Sequence, residues 1–238
     1  MPGAWLILPT YNEAENVDAI VRAALAELAT TGRDHTILVV DDGSPDGTGE
    51  IADRLAEEHD AVRVLHRAHK QGLGRAYLAG FDVALADGAE LVLEMDADFS
   101  HDPADLPRLI AAADDADVVL GSRYVEGGGV ENWGALRRLV SRGGSWYARM
   151  LLRVPVRDLT GGYKCFRGHV LRTIDLNGVH ANGYGFQIEL TYRAIQAGFT
   201  VEEIPIRFRE RREGHSKMTP RIALEAVWKV PAMRFRGR

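Results

Sequence analysis

The sequence predicts an α/β domain built on a mainly parallel sheet with helices on both faces. Two features carry that expectation. Short, continuously apolar runs alternate with stretches of helical periodicity, the pattern of strands buried on both sides. The acidic clusters fall directly after the apolar runs, where open parallel sheets bind ligands at the carboxyl ends of their strands.

The elements follow in order. Ala4 to Pro9 (AWLILP) reads as a buried strand, and Asn12-Glu13 open a helical pattern through about Leu28, with Val17, Ile20, Val21, Ala24 and Leu28 on one face. Thr36 to Val40 is a second strand, ending in Asp41-Asp42-Gly43-Ser44-Pro45-Asp46-Gly47, and Ile51 and Leu55 continue into a second helix. Val62 to Leu65, Gly74 to Leu85 and Leu91 to Met95 read as strand, helix and strand. Pro103 suits the first turn of another helix, and Val118 to Leu120 is a further strand. After Gly121 the alternation weakens. Glu126 to Trp133 is a glycine-rich loop, and Leu136 to Leu152 a basic helix interrupted by Gly143-Gly144. Asp158 to Phe166 is a loop into a short strand, Phe186 to Ala197 a helix and Val201 to Phe208 a strand. Arg209 to Thr219 is a basic loop, and Ile222 to Met233 a helix. No linker divides the chain, so one domain is expected.

Composition narrows the function. The chain has 238 residues, 46% hydrophobic and 26% charged, and is ordinary globular material. No run approaches the ~18 uncharged apolar residues of a membrane-spanning helix. Met1 to Thr10 lacks the basic start of a signal peptide. The single cysteine, Cys165, excludes a disulfide framework and a cysteine-only zinc site, and a reducing compartment is expected. The net charge of -5 conceals an asymmetry: residues 1–120 carry 8 basic and 24 acidic residues, and residues 121–238 carry 21 and 10. A basic second half suits an anionic partner such as a phosphate or a lipid surface, although two halves of opposite sign also neutralise one another. It lacks a helix-turn-helix signal and an aromatic-interleaved groove, so no nucleic-acid partner is expected.

The strongest constellation is Asp96-Ala97-Asp98 at a strand end. In an extended segment the two carboxylates share one side of the chain. Together with diphosphate oxygens they suit magnesium or manganese, which prefer hard oxygen ligands. Alone, a D-x-D is as readily a solvated acidic loop. Three acidic loops on one edge concentrate like charge, for which a bound cation is the natural remedy. Gly72-Leu73-Gly74 lacks the third glycine and the position of a dinucleotide fingerprint, and there is no P-loop. Arg211, Arg212, His215 and Lys217 form a cationic loop suited to phosphates, although such a run is also a common solvated surface. The histidines show no zinc spacing, and no serine sits in a G-x-S-x-G frame.

Leu8 to Glu13 (LPTYNE), Val40 to Thr48 (VDDGSPDGT) and Met95 to His101 (MDADFSH) resemble glycosyltransferase family 2. Gly121-Ser122-Arg123-Tyr124, Gly127-Gly128, Glu131-Asn132-Trp133, Arg137 to Gly143 and the closing Phe208-x-x-Arg211-x-x-Gly214-x-Ser216-Lys217 are similar to its dolichol-phosphate (polyprenol-phosphate) mannosyltransferase branch. The resemblance covers about residues 4–220. It implies a GT-A fold, Rossmann-like with a mixed, mainly parallel sheet. Residues 1–121 would be the nucleotide- and metal-binding half and 122–238 the acceptor-binding half. The implied reaction moves mannose from GDP-mannose to a polyprenyl monophosphate with inversion.

By the same resemblance Pro9, Tyr11, Glu13, Val39 and Asp41 hold the nucleotide, and Asp96, Asp98 and Ser100 hold Mg2+ or Mn2+. Arg211 and Lys217 neutralise the diphosphate, and Arg123, Arg137 and Ser141 receive the acceptor phosphate. Asp98 and the cations at 123, 137, 211 and 217 would carry catalysis. Some relatives have glutamine where this chain has Ser100, and a hydroxyl reaches less far. Two other activities stay open: a polyprenyl-phosphate glucosyltransferase using UDP-glucose, and an inactive nucleotide-sugar-binding module that regulates a partner. Trp146, Met150 and Leu151 with Arg142 and Arg149, and Ile222, Val227 and Trp228 with Arg221 and Lys229, have the composition of interfacial helices, which would also suit packing on the sheet. A peripheral protein on the cytoplasmic leaflet is expected, with room for a separate membrane-embedded partner.

Overall fold

The computed structural model describes residues 3–179, 181, 183–210 and 229–235. Seven strands form one sheet: β1 (Ala4–Thr10), β2 (His35–Asp41), β3 (Val62–His66), β4 (Leu91–Glu94), β5 (Val118–Ser122), β7 (Lys164–Arg167) and β8 (Val201–Pro205). Their spatial order is β3-β2-β1-β4-β7-β5-β8. All neighbours run parallel except β7, which is antiparallel to both β4 and β5. A two-stranded parallel ribbon, β6 (Gly129–Val130) with β9 (Arg207–Phe208), stands apart from the sheet.

Side-chain alternation along the strands divides the core in two. Leu6, Leu8, Ile37, Val39 and Leu93 face α1 (Val17–Ala29), α2 (Thr48–Glu58) and α4 (Leu106–Ala112). Trp5, Ile7, Leu38, Val40 and Val92 face the opposite way. There they meet α3 (Leu73–Ala86), α5 (Ala135–Leu152), α6 (Gly168–Thr173) and α7 (Tyr184–Gln196). Each such aliphatic side chain contributes about 1.5–3 kcal/mol on burial, so both faces are fixed by many independent contacts. Packing of α3 on β1 is close enough that a Cβ at Gly80 would collide with the Ile7 side chain, which explains a glycine inside that helix.

Several elements differ from the sequence expectation. Helix α1 starts at Val17 instead of position 12, because Asn12 takes a left-handed conformation (φ 53°) and the chain bends through Glu13 and Asn16 first. The helix expected at Pro103 opens as a 3-10 turn, Pro103–Asp105, capped by Asp102, before α4. Helix α5 runs unbroken through Gly143-Gly144; both point where nothing lies within 4 Å, so the cost is only the ~1 kcal/mol propensity loss per glycine. The run Val201 to Phe208 divides into β8 in the sheet and β9 in the ribbon. Of the expected helix 222–233 only 229–233 lie among the described residues. Residues 229–235 are helical, with Val230 buried and Arg234 donating to the Leu151 carbonyl of α5.

Candidate active site

Strands β2, β1 and β4 lie side by side and parallel, so the loops after Thr10, Asp41 and Glu94 leave one edge of the sheet. Thr10 and Asp41 are register partners there. Asp41 is buried and accepts from the Ser44 main-chain N–H at 3.1 Å and from its hydroxyl. Asp42 pairs with Arg67 and accepts from the main-chain N–H groups of Gln71 (3.0 Å) and Gly72 (3.2 Å), which shapes the loop into α3. Gly72 has φ 99°, a conformation that calls for glycine. The loops after β1 and β2 are laced together: Asn12 N–H donates to Ser44 Oγ at 3.0 Å and Glu13 N–H to Thr48 Oγ1 at 2.9 Å. The two carboxylates after β2 are thus held by hydroxyls, amides and Arg67. Pro9 is half-buried at the end of β1, and Lys70 Nζ lies 3.9 Å from the centroid of the Tyr11 ring.

Val39 requires correction as a nucleotide contact. Its side chain is wholly buried in the core beneath α1 and α2, and its main chain is paired on both sides, with Leu8 and Val64.

Asp46 locks the same pair of loops. It accepts from Thr48 N–H (3.2 Å), Thr48 Oγ1 (2.6 Å) and Ala14 N–H (3.1 Å). Partial burial opposes ionisation, but these bonds prevail and hold its pKa below the usual carboxylate value of 3.8. A depressed folded-state pKa means stability that is full above the unfolded value and lost as pH falls through the folded one. Asp46→Ala is expected to cost about 1 kcal/mol at pH 7. The gap from wild type should shrink below about pH 4 in urea melts run across pH. A gap that stays constant down to pH 2 would contradict the hydrogen-bonding account.

The D-x-D lies in a turn, because β4 ends at Glu94 and the chain bends through Ala97-Asp98. The expectation that an extended backbone aligns the two carboxylates is corrected accordingly. The Asp96 side chain is 35% exposed, whereas Asp98 is buried. Asp98 Oδ1 accepts from the Ser100 N–H at 3.0 Å, and Phe99 between them is left-handed (φ 61°). Ser100 Oγ is buried and makes no hydrogen bond among the described residues. His101 Nδ1 accepts from the Asp96 N–H at 3.2 Å. Burial pushes the His101 pKa down to about 4, against the charge of Asp98, so the ring is neutral with its proton on Nε2. No three His, Cys, Asp or Glu side chains among the described residues form a metal centre. Two carboxylates beside an unpartnered hydroxyl nevertheless fit a hard cation that completes its shell from phosphate and water.

Beneath this turn Glu94 faces Lys164 across β4 and β7. Lys164 Nζ donates to the Gln187 carbonyl at 2.8 Å and to its side-chain oxygen, tying β7 to the first turn of α7. Burial raises the Glu94 carboxyl to about 7 and lowers the Lys164 ammonium to about 8, each opposed by the other's charge.

The basic side differs most from expectation. Arg123 is 5% exposed, and Asp158 is wholly buried. Arg123 donates through Nε and Nη2 to Asp158 at 2.7 and 2.6 Å, and through Nη2 to Thr160 at 2.9 Å. Burial alone would favour the neutral forms. The paired charges prevail, holding Asp158 below and Arg123 above their ordinary values. Arg123, expected to receive the acceptor phosphate, thus already shares Nε and Nη2 with Asp158 and Thr160 inside the fold.

Arg137, by contrast, is exposed on α5. Its guanidinium lies 4.1 Å from the centroid of the Trp133 ring and 3.1 Å from Glu210. Ser141, one turn on, accepts from Tyr124 Oη at 2.6 Å, and Arg142 lies over the Tyr124 ring. A chain of rings joins this helix to the D-x-D turn: Trp133 meets Phe208 at 5.3 Å, and Phe208 meets His101 at 5.2 Å. Asp158 carried no local signal, since Arg123 is 35 positions away. Trp133, Phe208 and His101 lie in motifs the sequence exposed, but the contacts that join their rings link distant positions. Arg211 and Lys217, with Arg212 and His215, lie outside the described residues.

The site thus joins a D-x-D turn at the carboxyl edge of a parallel sheet to an arginine-rich helix. The model of the family described as glycosyl transferase family 2 matches residues 5–174. The chain belongs to glycosyl transferase family 2. Among curated relatives of this family 2 chain, a polyprenol monophosphomannose synthase of Mycolicibacterium smegmatis is 50% identical, over 98% of this chain and 87% of the relative. An undecaprenyl-phosphate mannosyltransferase of Micrococcus luteus is 46% identical, over 94% and 90%. The fold is shared with glucosyl-3-phosphoglycerate synthase of Mycobacterium tuberculosis, solved with Mn2+, uridine diphosphate and phosphoglyceric acid. The TM-score is 0.74 at 18% identity, over 98% of this chain and 78% of that one. It is the Rossmann-like GT-A architecture, with its mixed, mainly parallel sheet.

Proposed function

We propose that this chain transfers mannose from GDP-mannose to a polyprenyl monophosphate, with inversion and with a divalent cation, Mg2+ or Mn2+. The observation that carries the reading is the continuous run of contacts from the Asp96 turn through His101, Phe208 and Trp133 to Arg137. It brings a donor-type acidic edge and a phosphate-type cation into one site. The two relatives at 50% and 46% identity, both named for polyprenyl-phosphate mannose chemistry, support the donor sugar and the acceptor class.

Residues 1–121 hold the nucleotide sugar through Pro9, Tyr11, Glu13 and Asp41, and Asp96, Asp98 and Ser100 hold the cation. Bound there, the cation would neutralise charge on the departing nucleoside diphosphate. Arg211 and Lys217 are proposed for the same diphosphate. Arg137 and Ser141 receive the acceptor phosphate, while Arg123 with Asp158 braces the wall behind them. A phosphate monoester has its second pKa near ~6 and is already a nucleophile at neutral pH, so no general base is required of the chain. What the residues supply is position and charge.

Helix α5 gives the lipid a surface to approach. Leu139, Val140, Trp146 and Met150 are exposed on it, and residues 132–157 contain six arginines and no acidic residue. Among the described residues no helix is long and apolar enough to cross a membrane. This supports peripheral binding to the anionic cytoplasmic leaflet. With GDP-[14C]mannose and Mg2+ or Mn2+, the protein is expected to label a short polyprenyl phosphate and leave the unphosphorylated polyprenol unlabelled. Equal labelling of both would overturn the proposed role of the acceptor phosphate.

A further inference from the structure

We propose that His101 is the positioning residue that holds the D-x-D turn in shape and fixes it against the acceptor wall. The inference rests on the reading of Asp96, Asp98 and Ser100 as the cation loop, and assigns a residue outside that set. The last sheet hydrogen bond of this segment is from Met95 N–H to Ile7 O. One residue on, the Asp96 N–H has left the ladder, and the acceptor it finds is His101 Nδ1 at 3.2 Å. Residues 96–101 are thereby closed into a ring that carries both carboxylates and the Ser100 hydroxyl. The bond is part-buried, and a main-chain donor shielded from water is costly to leave unpaired, so the imidazole sets where the first carboxylate begins.

The imidazole cannot drift. It is 2% exposed, stacked on Tyr163 at 4.7 Å and 28°, and edge-on to Phe208 at 5.2 Å and 82°. Tyr163 in turn donates to the Asp102 carbonyl at 2.9 Å, just after the loop. From the other side Arg209 N–H donates to the Ser100 carbonyl at 3.1 Å. Phe208, between these contacts, packs on Trp133, over which Arg137 lies. One ring therefore touches the cation loop through its nitrogen and the acceptor wall through its edge. Groups that orient metal ligands in this way typically alter affinity 10- to 100-fold when removed.

The test uses Mn2+ affinity in the presence of GDP, read from the free-ion signal in electron paramagnetic resonance, with the melting temperature of the cation-free protein beside it. His101→Phe keeps a ring and removes the acceptor; His101→Asn keeps an acceptor. His101→Phe is expected to weaken Mn2+ about 10- to 100-fold while lowering the melting temperature by only about 2–4 °C, and His101→Asn to recover much of both losses. Wild-type affinity in His101→Phe overturns the proposal, as does a loss matched by unfolding in both variants. Asp98→Ala is the control for the underlying reading. If it too binds Mn2+ like wild type, the cation loop itself is wrong; if it alone loses Mn2+, only the role of His101 fails.

Discussion

Asp98→Ala is expected to lower mannose transfer about 10^3-fold, the equivalent of roughly 4 kcal/mol in the barrier. The carboxylate sits in the D-x-D turn, buried, with one oxygen held by the Ser100 N–H. On the proposed reading its loss removes one of the two carboxylates that, with the Ser100 hydroxyl, hold the cation. Melting of the cation-free protein should change little, because removing one of two neighbouring carboxylates also relieves like-charge repulsion. Steady-state rates over a Mn2+ titration check this. Recovery of the wild-type rate at millimolar Mn2+ would assign Asp98 a merely structural place.

Asp158→Ala is expected to destabilise the protein by about 3–5 kcal/mol, since it leaves the Arg123 guanidinium buried without its counter-charge. Thr160 still accepts one hydrogen bond, but a hydroxyl does not neutralise a cation. For a domain of this size each kcal/mol lowers the melting temperature by about 2–4 °C, so a fall of roughly 6–20 °C is predicted. The pair Arg123→Met with Asp158→Leu should recover most of it, as apolar replacements of buried ion pairs often do. If the double variant melts no higher than Asp158→Ala, the stability lies in something other than the charge pairing.

The parts of this architecture that were legible are those with strong local patterning. Strands β1, β2 and β4 are apolar runs ending in acidic loops, and both the parallel arrangement and the shared edge follow from that pattern. Helix α5 was legible in position, but its glycine pair read as a break because propensity says nothing about where side chains would point. Solvent on that face makes the glycines tolerable. The two-residue strands β6 and β9 have too little sequence to show a period. They exist because Glu131 N–H and Phe208 O, remote in sequence, find one another.

At the site, residue types were legible and partners were not. Asp158 lies 35 positions from Arg123, and no spacing rule links them; yet Asp158 takes up two donors of a guanidinium expected at the acceptor phosphate. His101 follows Ser100 directly in a motif that the sequence exposed, but its ring nitrogen acts backwards on Asp96, which only the turn reveals. Val39 shows the opposite case: a residue beside the right loop whose side chain the strand period sends into the core.

The proposed reaction pairs a mannosyl nucleotide with a polyprenyl phosphate on this edge. It is tested most directly by following the transfer of radiolabelled sugar into lipid-extractable product from GDP-mannose and from UDP-glucose in parallel, with a short polyprenyl phosphate and Mg2+ or Mn2+. Cation-dependent product from GDP-mannose, with little or none from UDP-glucose, is the predicted result. Product from UDP-glucose alone, or nucleotide binding without transfer from either donor, would contradict it.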